Sequence, residues 1–143
     1  MWEVRPDVEM PELVKPPITR LQILRFAAVT GDTNPVHVND FVARRAGFDG
    51  VIAHGMLSMS FLGEYLTRVA GAGNVRRFKA RFRQPVRPGD VITCKGRVKA
   101  VAPCGPMTLA VVEVWAENQK GQRVTTGVGE VLVPDLVTDW RDS

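Results

Sequence analysis

Histidine, cysteine and tyrosine are scarce in this 143-residue chain, which has two, two and one of them. Cys94 and Cys104 form no CxxC motif and stand at no metal-ligand spacing from a histidine. No metal or redox cofactor is therefore implied. Two strand-borne thiols could bridge, but without export signals free buried cysteines are the expectation. Long apolar runs are missing as well. No uncharged stretch approaches the ~20 residues needed to cross a bilayer. Met1 to Met10 carries Glu3, Arg5, Asp7 and Glu9 where a signal peptide needs an apolar core. The expectation is a cytoplasmic protein. Internal repeats and low-complexity segments are also lacking.

What is present suits a single soluble domain over residues 1–143. The hydrophobic fraction is 45% and the charged fraction 24%, enough apolar surface for a packed core to offset chain entropy. The net charge of +4 favours anionic small molecules as readily as nucleic acid.

Residues 1–17 are proline-rich and polar, an extended lead-in with one short strand expected near Glu12 to Lys15. Thr19 reads as an N-cap, and Leu21, Leu24 and Ala28 recur at helical spacing until Gly31 closes the helix. Asn39 or Asp40 caps a short helix through Ala46, ended by Gly47. Residues 53–70 make the longest helical segment. Its apolar members, among them Met56, Leu57, Phe61, Leu62, Tyr65, Leu66 and Val69, surround nearly the whole axis, so burial on nearly all sides is predicted. Glu64 and Arg68 form an i,i+4 pair.

Beyond Gly73 the pattern alternates. Phe78, Ala80 and Phe82 share one face of a strand, with Arg77, Lys79, Arg81 and Arg83 on the other. Pro88-Gly89-Asp90 turns into a strand from Val91 to Val101. Further strands follow over Thr108–Glu117 and Val124–Val133. Hairpin-joined strands form an antiparallel sheet, and one long apolar helix needs a surface curled around it. The predicted fold is α+β, an antiparallel sheet wrapped around a central helix.

The segment Gly31-Asp32-Thr33-Asn34-Pro35-Val36-His37 sets a carboxylate and an imidazole five residues apart where regular helix is not possible. Pro35 lacks an N–H donor and biases Asn34 away from the α region. Two such groups on a bent backbone could hold one water between them, which suits adding water to, or removing it from, an organic substrate. A second segment, Ala53-His54-Gly55-Met56-Leu57, opens the long helix.

Together, Phe26 to His37 and Ala53 to Leu57 resemble the hydratase-2 signature of MaoC-like dehydratases, the (R)-specific enoyl-CoA hydratases and related 3-hydroxyacyl dehydratases of the hotdog superfamily. The turn Pro-Val-Arg-Pro-Gly-Asp at 85–90 is part of the likeness. The resemblance implies a hotdog fold, usually paired as a dimer with continuous sheets, acting on acyl thioesters of CoA or acyl carrier protein. It puts the catalytic aspartate and histidine on Asp32 and His37, the motif asparagine on Asn34, and the glycine whose amide supports the thioester oxygen on Gly55.

The residues also admit plainer readings. Asp32 and Asn34 could be turn formers. Gly55 could serve close packing against the sheet, as Gly63 is expected to do. His54 is read as fastening its loop by hydrogen bonds. Ser58 and Ser60 lie in no nucleophile elbow, so a covalent serine mechanism is not expected. The row Arg77, Lys79, Arg81 and Arg83 could receive the phosphates of CoA or a carrier protein's acidic surface, or simply protect a sheet edge. No aromatic is interleaved on that face, so nucleic-acid binding is not expected. Three functions are carried forward. The first is an acyl-thioester hydratase/dehydratase. The second is a subunit of a heteromeric dehydratase needing a second hotdog partner. The third is a hotdog thioesterase or acyl-binding module. Membrane partners are not expected, and acyl chain length is not legible.

Overall fold

The structure is a computed structural model describing residues 1–142. Helix α1 (Arg20–Thr30) is capped by Thr19, whose side chain accepts from the Gln22 amide, and stops at Gly31 in the left-handed region at φ 75°. That conformation favours glycine because an L side chain crowds the following carbonyl there. A short helix, α2 (Asp40–Arg45), is capped by the side chain of Asn39. Helix α3 covers Gly55–Ala70.

Strands β3 (Val75–Phe82), β4 (Thr93–Cys104), β5 (Met107–Glu117) and β6 (Arg123–Val133) run where alternation predicts them. A further strand, β2 (Glu9–Val14), begins before the expected Glu12 and joins the same sheet. The sheet is five-stranded and antiparallel, in the order β2-β4-β5-β6-β3, so β2 and β3 are its edges. A two-stranded ribbon, β1 (Trp2–Glu3) with β7 (Leu136–Val137), ties the two ends of the chain together.

Helix α3 supplies the centre of the core. Leu57, Phe61, Leu62, Tyr65, Leu66 and Val69 are buried against inward residues of the sheet such as Val98, Val112, Val114 and Val131. Truncating Leu66 to Ala would cost about 2–5 kcal/mol through lost burial and a residual cavity. The expectation of burial on all sides is corrected here. Met56 is 54% exposed, and Ser60, Thr67 and Arg68 are exposed with it. One five-stranded sheet covers only one side of a helix, so the other side of α3 stays open in a single chain. Gly63 lies on that open side, and an added Cβ would meet nothing within 4 Å, so it is not a close-packing glycine. Close approach to the sheet belongs instead to Gly129, where a Cβ would meet the Leu66 methyls at 3.0 Å.

Both cysteines are free. They occupy one strand, ten residues apart and hence ~33 Å apart at strand rise, far beyond disulfide reach. Cys94 is buried as expected, whereas Cys104 is exposed.

Candidate active site

The bend that follows α1 is built by its own polar side chains. The Asp32 amide donates to Thr30 Oγ1 and the Asn34 amide to Asp32 Oδ1, each at 3.4 Å. Asn34 Oδ1 accepts from the Val36 amide at 3.2 Å and caps a 3-10 turn over Pro35–His37. Asn34 thus shapes the loop through its side-chain oxygen, the turn chemistry that its place before proline permits.

That turn delivers His37 to Asp32. His37 Nε2 lies 3.9 Å from Asp32 Oδ2, with the imidazole 10% and the carboxylate 55% exposed. This exceeds direct hydrogen-bond length, but one water at about 2.8 Å from both atoms spans it at an angle of roughly 90°. On the far side of the ring His37 Nδ1 sits 2.8 Å from the Ile52 carbonyl. A carbonyl only accepts, so Nδ1 carries the proton, and in the neutral ring Nε2 presents its lone pair towards Asp32. A bridging water would then meet two acceptors, directing both of its protons away from an oxygen free to attack.

Behind the pair stands His54, 2% exposed. Its ring stacks on His37 with centroids 3.8 Å apart, and Phe26 packs on it at 5.0 Å. His54 Nε2 donates to the Asp32 backbone carbonyl at 2.9 Å, which fixes the loop that carries Asp32. Among the described residues its Nδ1 has no hydrogen-bond partner. The fold therefore groups Asp32, His37 and His54, with ligand atoms within 4.8 Å of one another, a gathering that the sequence spacing did not reveal. The rings are stacked and His54 Nε2 is committed to a carbonyl. Stacked rings set their nitrogens side by side rather than converging on a point, which suits proton handling better than tetrahedral metal binding.

A second carboxylate, Asp40, holds this assembly together. It accepts from the Val51 amide at 2.9 Å and from Arg20 at 3.0 and 3.1 Å, joining α1, α2 and the loop before α3. The Val51 amide first, and Arg20 after it, hold the Asp40 carboxyl below the usual carboxylate range. Gly50 is required beside it, since a Cβ there would lie 2.9 Å from Asp40 Oδ1.

Gly55 opens α3, whose N-cap residue His54 makes no side-chain capping bond. Among the described residues neither the Gly55 nor the Met56 amide has an acceptor. Two unpartnered N–H groups at the positive end of a 16-residue helix are ready to receive a developing oxyanion. The Phe82 ring covers Gly55 so closely that an added Cβ would meet it at 2.7–2.9 Å. Phe82, expected to face the core, is 55% exposed at the end of an edge strand. Gly55 and Phe82 line a cavity of about 300 Å³ with Ile52, Ser58, Arg83 and Thr125. Asp32 and His37 do not line it. His37 instead lines a separate hollow of about 340 Å³ with Leu21, Leu24 and Val51. The Ile52–Gly55 segment joins the two regions, holding His37 through the Ile52 carbonyl and walling the cavity.

The cationic row divides. Lys79, Arg81 and Arg83 line a groove on the outer face of the sheet, with Arg123 stacked on Trp115 at 4.2 Å. Arg77 lies on β3 beyond a bulge at Val75–Arg77 and is exposed outside the groove. Among the described residues no hydrogen bond or ion pair joins this row to Asp32 or His37. Sequence reading did not find Asp40, Thr125 or the cover that Phe82 forms. The Asp-Phe beginning of α2 after an asparagine cap signals a helix start but not a hub, and the other two depend on tertiary contact alone.

Residues 6–118 match the family described as the MaoC like domain. The chain belongs to this family, and its fold is the hotdog fold. It superposes on the unliganded R-hydratase PhaJ1 of Pseudomonas aeruginosa with a TM-score of 0.79 and 27% identity, over 94% of this chain and 86% of that one. A 3-hydroxybutyryl-CoA dehydratase of Methylorubrum extorquens is 35% identical over 99 residues, 68% of this chain and 63% of the relative. An (R)-specific enoyl-CoA hydratase of Rhodospirillum rubrum is 40% identical over 88 residues, 60% of this chain and 61% of the relative. The chain thus spans less than two thirds of the length of these two curated relatives.

Proposed function

We propose that this protein catalyses the reversible hydration of trans-2-enoyl thioesters to (R)-3-hydroxyacyl thioesters. The observation that carries this is the 3.9 Å gap between Asp32 Oδ2 and His37 Nε2, sized for one shared water. The names of the relatives support the same chemistry.

In the hydration direction Asp32 takes a proton from the water as its oxygen attacks C3. His37 Nε2 accepts the water's other O–H, and the proton taken by Asp32 is the one the pair hands on to C2, so that hydrogen and hydroxyl arrive from one face and both groups return to their starting state. Charge building on the thioester oxygen is received by the Gly55 amide, a donor of a kind worth about 3 kcal/mol in other oxyanion holes. Asn34 acts by holding the turn that aims His37. Dehydration runs the same steps in reverse.

The open side of α3 and the unpaired edge of β3 support assembly with a second hotdog chain, as a homodimer or a heterodimer. No helix among the described residues is long and apolar enough to cross a membrane. We assign the protein to the cytoplasm and to acyl-thioester metabolism such as that of fatty acids.

The test is to mix purified protein with crotonyl-CoA and longer enoyl-CoAs and to follow loss of the enoyl absorbance, with a thiol-detecting reagent in parallel. Hydration without thiol release supports the reading. Thiol release would make the protein a thioesterase. Turnover that appears only after adding a second hotdog chain would make it a subunit of a heteromeric dehydratase.

A further inference from the structure

His54 weakens the fold that holds it. Its Nε2 donates to the Asp32 carbonyl, so in the neutral ring Nδ1 carries a bare lone pair, and that atom is buried with no partner among the described residues. A buried polar atom left unpaired destabilises the folded chain. His54 is also the N-cap of α3, a position where serine, threonine, asparagine or aspartate would bond the first amides, and its side chain caps nothing. An imidazole that breaks two local rules serves the site rather than the core.

The ring is a fixed plate. The backbone beside it is tied on both sides, the Ala53 amide donating to the Val86 carbonyl at 2.7 Å and the Leu57 amide to the His54 carbonyl at 3.0 Å. Phe26 packs against the ring at 5.0 Å, and His37 stacks on it at 3.8 Å, 25° from parallel. The groups it meets are less well held. Gly31 to Pro35 are all exposed, and every other hydrogen bond of Asp32, Thr33 and Asn34 among the described residues stays within residues 30–37. His54 Nε2 ties this bend to the core. The χ2 torsion of an imidazole is broad, and a half-turn about Cβ–Cγ would put Cε1 of His37 where Nε2 stands. A second ring in van der Waals contact leaves no clearance for that turn.

On the basis of the hydratase reading, we propose that His54 is a positioning residue for the reaction, beyond fastening its loop. Its ring face sets the plane of the His37 imidazole, its Nε2–H sets the place of Asp32, and the 3.9 Å gap between the two follows from this one buried ring. It acts through Asp32 and His37 and exchanges no proton itself. Its loss therefore misaims the water and lowers kcat while leaving KM alone.

Two variants separate its two contacts. His54→Phe keeps a ring against His37 and removes both the donor and the unpaired nitrogen. His54→Gln keeps a side-chain N–H for the Asp32 carbonyl and removes the ring. Each is compared with wild type by crotonyl-CoA hydration, thermal melts and nitrogen NMR of the imidazoles. Both should lose about 10²-fold in kcat, the effect of a misplacement near 1 Å, with KM held within about twofold. His54→Phe should melt at or above wild type. In wild type the spectrum should show His37 protonated at Nδ1 alone, and in His54→Gln its two nitrogen signals should move towards each other as tautomers exchange. A wild-type kcat in either variant would overturn the proposal, as would a loss confined to KM. So would lowered melts in which the folded fraction turns over at the wild-type kcat, because His54 would then serve only the fold. Turnover by the wild type with unaltered kcat in both variants retains the hydratase reading and rejects the positioning role. A wild type without turnover rejects the hydratase reading, and the spectra then decide alone. An unchanged His37 signal in His54→Gln rejects the plate, and a changed one retains it.

Discussion

Replacing Gly55 by alanine separates a glycine needed for packing from one needed for chemistry. The new Cβ would stand 2.7 Å from Phe82 Cδ2 and 2.9 Å from Cγ and Cε2. Carbon atoms prefer about 3.5–4.0 Å, so the ring must withdraw by close to 1 Å. Overpacking of this kind costs about 1–3 kcal/mol. Phe82 is half exposed on an edge strand and free to swing outward, which puts the cost near the lower bound. Alanine in place of glycine returns up to about 1 kcal/mol of helix propensity. The net change in stability is then small, a Tm lowered by a few degrees at most. Turnover behaves differently. A methyl group over the amide keeps a thioester carbonyl away from it, and losing one oxyanion donor lowers kcat by about 10²–10³. The assay is enoyl-CoA hydration alongside a thermal melt, for Gly55→Ala and for the double variant with Phe82→Ala. The double variant should melt close to Phe82→Ala alone and stay inactive. Recovery of the Phe82→Ala rate in the double variant would refute the reasoning, because Gly55 would then serve only to fit the ring.

Three further outcomes follow from the same geometry. Gly127→Ala should be strongly destabilising in urea melts, because its Cβ would meet the Lys79 carbonyl oxygen at 2.5 Å; Gly63→Ala, with nothing within 4 Å, should be neutral or raise stability by up to about 1 kcal/mol. Burial raises the Glu64 carboxyl, but hydrogen bonds from Lys15 at 2.6 Å and Arg68 outweigh it and leave it below the usual range. A lowered folded-state value stabilises above the unfolded carboxylate range and is lost as pH falls through it, so the stability gap between wild type and Lys15→Met should be full at neutral pH and close below about pH 4. Burial pushes the Cys94 thiol up to about 12, so a native thiol titration should find Cys104 reactive and Cys94 only after unfolding.

Local chemistry made much of this structure legible. Thr19, Gly31 and Asn39 mark helix boundaries through caps that act over three or four residues, and all three perform those roles. Four strands were readable because alternation reports a sheet with one buried face. β2 was legible only in part. Pro11 interrupts its pattern, and the chain accommodates it on a sheet edge with a register shift between Met10 and Leu13. The open side of α3 was hidden because composition reports how apolar a helix is and not how much sheet is available to cover it. At the site, Asp32 and His37 were readable because one kinked loop carries both. The stacking of His54 on His37, the cover of Phe82 over Gly55 and the facing of Ser58 and Thr125 join residues 17 to 67 positions apart, and no local pattern encodes such meetings.

The central claim is that Asp32 and His37 act on one water. A double-mutant cycle in hydration rate tests it, using Asp32→Asn, His37→Ala and the two combined, with melts to confirm folding. Each single variant should lose at least about 10²-fold, and the pair together hardly more than the worse single, since removing either grip frees the same molecule. Losses that multiply, or a double variant that still hydrates crotonyl-CoA at the wild-type rate, would contradict it.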